Sequence, residues 1–274
     1  MTPFNPGNLL PFRTDRRFLR HKQAGTNRHP FGLRCPAARL MPFQLYIAGG
    51  ASAVTWKLVD PADDTGATFT AMTAGDLTIK DDTDGNSWVT WGGHTNITTA
   101  IACGYWEIWV TVDGTTYYSE CIHTYPTTEP APIWRFRFNN DTDKGQVLYQ
   151  VAGGPFAYSH FLYPTFFALD RPGTDRELDI RVDGNGNETT RFSRTVSRFK
   201  MEVADLPDYV LPFLAKCGDL TLIVFETVVG DSAQIITNVV FESRAQGTGL
   251  NVGIFKFDAE TEAFAGCQEN FELA

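Results

Sequence analysis

No stretch of this sequence approaches the roughly 18 consecutive apolar residues that a membrane-crossing helix needs. The first residues, MTPFNPGNLLPFRTDRRF, carry prolines and arginines where a secretory leader would have its apolar run. No G-x-S-x-G elbow, G-x-x-x-x-G-K loop, H-E-x-x-H pair or C-x-x-C pair occurs, which removes the local signatures of hydrolase, nucleotide and zinc chemistry. The five histidines, His21, His29, His94, His123 and His160, all lie more than five residues apart, so none forms a local metal pair. Cysteine is sparse and odd in number: Cys35, Cys103, Cys121, Cys217 and Cys267 are widely spaced. That set fits a chain made in a reducing compartment better than a disulfide framework, although one pair could form later. Catalytic, metal and cofactor residues are accordingly assigned to none.

Charge is also scarce, at 20% of residues against 43% apolar, which separates this chain from charge-rich disordered ones. The 21 phenylalanines, with nine tyrosines and six tryptophans, supply material for more than one core. What charge there is lies unevenly. Residues 1–40 hold eight bases and one acid, residues 41–132 two bases and eleven acids, and residues 133–274 thirteen bases and twenty acids. A basic arm on an acidic body suits an acidic neighbour and disfavours nucleic acid.

Short alternating runs between turn residues predict a mainly β chain with an extended arm, two β domains and one short helix. Residues 1–39 form the arm, where Pro3, Pro6, Pro11, Pro30 and Pro36 interrupt any helix. Residues 40–123 read as an immunoglobulin-like β-sandwich, with alternation in Phe43, Leu45, Ile47 and in Val54, Trp56, Leu58. In CGYWEIWVTVDGTTYYSEC (103–121), Asp113-Gly114 suits a type I′ turn. That register sets Val112 opposite Thr115, Val110 opposite Tyr117, Trp106 opposite Cys121 and Cys103 opposite Thr124. It leaves Trp109 facing Tyr118 on the side away from the apolar stripe. This pair is a candidate ligand or partner surface, unless the arm covers it.

TYPTTEPAP (124–132) reads as a stiff proline-rich linker. Residues 133–274 read as a larger β-sandwich or jelly-roll-like domain, opening with Trp134, Phe136 and Phe138 alternating with Arg135 and Arg137. Its strands are expected near 147–151, 161–168, 178–182, 190–203, 220–228, 233–242 and 250–257. In DLPDYVLPFLAKCGD, Asp205 would cap a helix, Pro212 would kink or shorten it, and Gly218 would end it. Asp81, Asp82, Asp84 and Asn86 resemble half a calcium loop, but Ser87 and Gly93 stand where its glycine and glutamate belong. Asp60/Asp63/Asp64 and Asp141/Asp143 are weaker acidic groups of the same kind.

The segments ARLMPFQL (38–45), CGYWEIWVTVDGTTYYSEC, WRFRFNNDTD (134–143), LDIRVDGNGNETTRFSRTVSRFKMEV (178–203) and DLPDYVLPFLAKCGD, with the late Cys267, resemble uncharacterised virion proteins of tailed phages and prophages of the Bacteroidetes. The resemblance departs at the arginine-rich start and at His160-Phe161. It implies a non-enzymatic tail, baseplate or connector component, located in the virion and assembled in the host cytoplasm. It further implies a symmetric homo-oligomer beside other virion proteins, with no membrane partner, and it carries over no catalytic residue. The arm's charge and apolar content point to Phe12, Arg16, Arg17 and Phe18 as an intersubunit contact. The alternative is a carbohydrate- or receptor-binding module, and a less favoured third is a hydrolase whose acids meet only in space.

Overall fold

The structure is a computed structural model that describes residues 9–19, 32–37, 39–81, 84–92, 101–126, 134–139, 159–164, 167–182, 184–186, 188–216, 222–227, 233–245 and 250–260. It is mainly β, with one short helix. The strands up to residue 125 are β1 (Phe12–Arg13), β2 (Leu33–Pro36), β3 (Phe43–Ile47), β4 (Val54–Val59), β5 (Phe69–Ala71), β6 (Thr78–Asp81), β7 (Ser87–Trp91), β8 (Gly104–Val112), β9 (Thr115–Ser119) and β10 (Ile122–Tyr125). They form a seven-stranded sheet, β1-β9-β8-β10-β2 with β4 on β8 and β5 on β4, and a three-stranded sheet, β3-β7-β6. The inward residues of both sheets join one core. Phe43 and Trp91 meet Trp56 with ring centroids 5.7 and 5.6 Å apart, over fully buried Ile108 and Val110.

The hairpin forms as its sequence predicts near the turn. Asp113 (φ 46°) and Gly114 (φ 85°) both take the left-handed conformation a type I′ turn requires, and Val112 pairs Thr115. Further out the register differs from the expectation. Trp106 lies opposite Ile122 and Gly104 opposite Thr124, one residue away from the predicted pairing. The extra residue falls in the break at Glu120 and Cys121, between β9 and β10, which no glycine or proline announces. Two boundaries also move. Thr124 and Tyr125 belong to β10, not the linker, and residues 33–36 of the expected arm pair in parallel with β10 as an edge strand. Leu33 and Cys35 are buried there. Pro36 sits at the strand's end, where its missing N–H removes no interior rung.

From residue 134 onward the strands are β11 (Trp134–Asn139), β12 (Ser159–Leu162), β13 (Phe167–Val182), β14 (Glu188–Pro207), β15 (Leu222–Thr227), β16 (Ala233–Ala245) and β17 (Leu250–Glu260). They form a second seven-stranded sheet, β12-β11-β15-β16-β17-β14-β13, curled into a half-barrel. The strand expected at 147–151 lies outside the described residues. The aromatic side of β11 faces inward: Phe136 is fully buried and meets Phe225 and Phe255, each at 4.8 Å. Two bulges keep the apolar residues on that side. Asn238 (φ 51°) shifts the pairing of β16 between Thr237 and Val240, so both Ile236 and Phe241 pack on the core. Asp205 (φ 61°) does the same in β14 between Val203 and Leu206.

Asp205 is therefore a bulge residue and not the helix cap expected of it. The chain leaves β14 through a 3₁₀ turn, Asp208–Val210, into helix α1 (Leu211–Leu214). Pro212 stands in the first turn of α1, where a missing N–H costs nothing, so it starts the helix and does not kink it. Phe213 and Leu214 are buried, with the Phe213 ring 5.5 Å from Phe138. Tyr209 joins the two parts of the chain. Its hydroxyl donates to the Cys121 carbonyl at 3.2 Å and accepts from the Leu33 amide at 2.9 Å. Desolvation of the hydroxyl pushes that phenol well above its ordinary pKa.

Candidate functional site

Strand alternation sends Ile108, Val110 and Val112 into the core and turns Glu107, Trp109 and Thr111 to the opposite face of β8. A carboxylate on that face ought to be wet, yet Glu107 has no exposed surface. The N-terminal segment covers it. Leu9, Leu10 and Leu19 are buried, and the Phe12 ring packs 5.1 Å from that of Phe43. β1 pairs antiparallel with β9, setting Phe12 opposite Ser119 and Arg13 opposite Tyr118. The Pro11 carbonyl accepts from the Glu120 amide. Asp15 then caps a 3₁₀ turn, Arg16–Phe18, by accepting from the Arg17 amide.

That turn places Arg16 on the buried carboxylate. Its Nε donates to Glu107 Oε2 at 2.7 Å and its Nη2 to Oε1 at 3.0 Å, the two-pronged geometry a planar guanidinium favours. Nη1 reaches Asp64 at 2.9 Å and Nη2 the Pro61 carbonyl at 3.2 Å. Trp109 Nε1 donates to Glu107 Oε2 at 2.8 Å. The Trp109 ring is held by two cations, the Arg16 guanidinium and Lys57 Nζ, each 4.9 Å from its centroid. Lys57 also lies over Phe69 and donates to the Gly66 carbonyl. Gly66 is required here twice over: its φ is 66°, and a Cβ would fall 2.3 Å from the Trp109 ring.

The expected site residues thus divide. Trp109 and Tyr118 do meet, edge to face at 4.9 Å, but Trp109 is 7% exposed beneath the strap. As an open aromatic platform the pair is corrected by this cover. Phe12 and Arg16, expected at an intersubunit contact, are spent on the chain's own sheet. Arg17 and Phe18 point outward, with the Arg17 side chain 87% exposed and paired with neighbouring Asp15, whose carboxyl it lowers. Glu107, Lys57 and Gly66 were missed by sequence reading. The available signal was Glu107 itself, an acid sharing a strand face with tryptophan beneath a basic arm.

The acidic groups serve their own loops. Asp63 accepts from the Thr65 hydroxyl and from the Thr65, Gly66 and Thr68 amides, which hold its carboxyl far below the usual range. Asp60 accepts from the Ala62 amide, and Asp64 takes Arg16. Asp81 accepts from Ser87, and Asn86 from the Gly49 amide. Asp82, Asp141 and Asp143 lie outside the described residues, as do His21, His29 and His94. Among the described residues no three His, Cys, Asp or Glu side chains gather as a metal site would need. His123 stacks on Tyr105 at 4.6 Å, and burial with the nearby Arg34 charge lowers its pKa. Cys35 and Cys121 are buried thiols, Cys35 pushed up to about 12 by desolvation, and Cys103 is exposed.

Compared with protein families, curated proteins and solved structures, the chain matches none of them.

Proposed function

We propose that this protein is a non-enzymatic structural component of a phage virion, a ring-forming tail, baseplate or connector protein. In this reading its first part is an immunoglobulin-like sandwich and its second a jelly-roll-like body. It acts as a symmetric homo-oligomer beside other virion proteins, after assembly in the host cytoplasm. The observation that carries the reading is the N-terminal strap. Arg16 fixes it to a buried carboxylate, and the same three-residue turn presents Phe18, 56% exposed, and Arg17 to the outside. An outward aromatic and a guanidinium on an anchored turn are the residue types that dominate protein interfaces. The acidic remainder of the chain supplies the complementary charge on a neighbouring copy.

The test is particle composition. Virions are purified from the source that encodes the chain, and its peptides are quantified against the major capsid protein, with gold-labelled antibody locating it by microscopy. A fixed ratio and a discrete tail or connector label are expected. Infectious particles lacking the chain would overturn the reading. The alternative, a carbohydrate- or receptor-binding module, requires an open aromatic platform other than Trp109 and Tyr118.

A further inference from the structure

The outer face of β8 continues past the residues that the strap touches. Strand alternation puts Tyr105 on the same face as Glu107 and Trp109. β4 stops opposite Glu107, so Tyr105 has a strand neighbour on one side only among the described residues. On that side His123 of β10 lies opposite Tyr105, and Arg34 of β2 lies opposite His123. The three side chains form one row across three strands, about 10 Å long at the usual strand spacing. Residues 101–103 turn to the opposite face, where the Ala102 carbonyl accepts from Trp106 and Thr124.

This row carries polar groups that the chain itself does not use. The His123 ring stacks on Tyr105 with centroids 4.6 Å apart and planes at 21°, and the Arg34 guanidinium lies 5.6 Å over the Tyr125 ring. These contacts use ring faces and leave the polar edges over. Among the described residues no group accepts from the Arg34 guanidinium, although its Nε is cut off from solvent. Neither the Tyr105 hydroxyl nor the His123 imidazole bonds to another side chain or carbonyl there. All four residues are half-buried. The charge that His123 feels is that of Arg34, and the acid of this face, Glu107, has both oxygens taken by Arg16. A guanidinium with no carboxylate beside it calls for an acceptor from outside.

We propose that this row binds a carboxylated sugar chain, with a carboxylate on Arg34 and ring hydroxyls on His123 and Tyr105. Length selects the ligand. A single acidic side chain of a protein partner satisfies Arg34 and leaves the far end of the row unused. Linked uronic acid rings present a carboxylate and hydroxyls along the whole of it. A neutral imidazole offers one donor and one acceptor to such hydroxyls, and the phenol offers both in one group. The face of Tyr105 turned away from His123 is an apolar surface against which a pyranose ring packs. The row is separate from Trp109 and Tyr118, and it does not depend on the virion reading.

The test titrates the full chain with tetrasaccharides of galacturonic acid and of hyaluronan, by calorimetry and saturation-transfer NMR. At least one should bind with a Kd of about 0.1–1 mM. Its carboxyl-reduced form, which keeps the rings and loses the charge, should bind about tenfold more weakly. Arg34→Gln should weaken the acid form about tenfold and leave the reduced form unchanged. Tyr105→Ala should weaken both forms, by about threefold to tenfold. Far-UV circular dichroism checks that each variant retains its sheets; if Arg34→Gln does not, Tyr105→Ala and the reduced sugars decide. Absence of binding at about 10 mM of either sugar acid would overturn the proposal. So would equal binding of acid and reduced forms, or variants that bind as the wild type does. A hexaglutamate peptide that binds as tightly as the sugar acids, and loses binding in both variants, would assign the row to a protein partner and overturn the sugar.

Discussion

Replacing Arg16 with methionine keeps an unbranched side chain over Trp109 and removes the guanidinium that takes both oxygens of Glu107. The two ends of this network differ in worth. Asp64 is 74% exposed in its side chain, so its bond to Arg16 contributes at most about 1 kcal/mol. Glu107 is not exposed at all and the Arg16 side chain only 12%, so that pair is little screened by solvent. Removing one partner of a buried pair costs about 3–5 kcal/mol, mostly because the other charge stays desolvated. With the Trp109 N–H still donating to Glu107, the lower end applies. Arg16→Met should therefore cost about 3 kcal/mol, a large share of the 5–15 kcal/mol typical of a folded domain.

Urea unfolding followed by tryptophan fluorescence measures this, with circular dichroism run in parallel to check that both probes report one transition. Glu107→Leu alone should also destabilise, since it leaves the Trp109 N–H without its acceptor and the Arg16 guanidinium with only exposed Asp64 and the Pro61 carbonyl among the described residues. The double variant should lose less than the sum of the singles by about 2 kcal/mol, the coupling of groups in contact. Raising salt should leave that coupling nearly unchanged, because screening acts on exposed pairs. A loss below about 0.5 kcal/mol for Arg16→Met, within the range of an ordinary surface substitution, would refute the argument. Arg16 would then be an ornament on a strap held by Leu9, Leu10 and Leu19.

Tyr209→Phe should cost about 1–3 kcal/mol by leaving the Leu33 amide without its acceptor, and hydrogen exchange at Leu33 should quicken; unchanged protection would show that the joint does not rest on this hydroxyl. Asp63 and Asp113 are both held below their ordinary value of 3.8, first by hydrogen bonds from the Thr65 and Ser52 side chains respectively. A depressed folded pKa lends stability that is complete above that value and lost as pH falls through the lower folded one. The 60–68 loop and the Ser52–Asp113 contact should thus persist to pH 4 and open only in stronger acid, as carboxyl and amide NMR shifts would report. Opening already above pH 5 would contradict the assigned bonds.

What could be read in advance was what the chain encodes within a few residues. Asp113-Gly114 names its own turn, and Trp134, Phe136 and Phe138 announce a buried face by spacing alone. The long strands β14, β16 and β17 were legible for the same reason, although their bulges were not. Asp205 illustrates the limit. An aspartate two residues before a proline looks like a helix cap, and only the pairing of β14 with β17 reveals it as the residue that flips strand parity. The break at Glu120 and Cys121 is similar, since its cause is the different registers in which β9 and β10 meet β8.

The strap was the least legible feature, because its meaning lies in a pair 91 residues apart. Composition showed a basic, apolar arm and an acidic body, and both a neighbouring subunit and the chain's own sheet satisfy that pattern equally. The deciding fact is that Glu107 lies in a strand whose other face is core, so it cannot turn away to reach water once the arm is down. An arm carrying lysine at this position would supply the charge but not the planar fork that engages both oxygens. The anchoring residue and the exposed ones are therefore distinct: Arg16 holds the turn, and Arg17 and Phe18 are left to meet whatever lies outside. Substituting Phe18 should leave folding intact while changing association, whereas substituting Arg16 should change folding first.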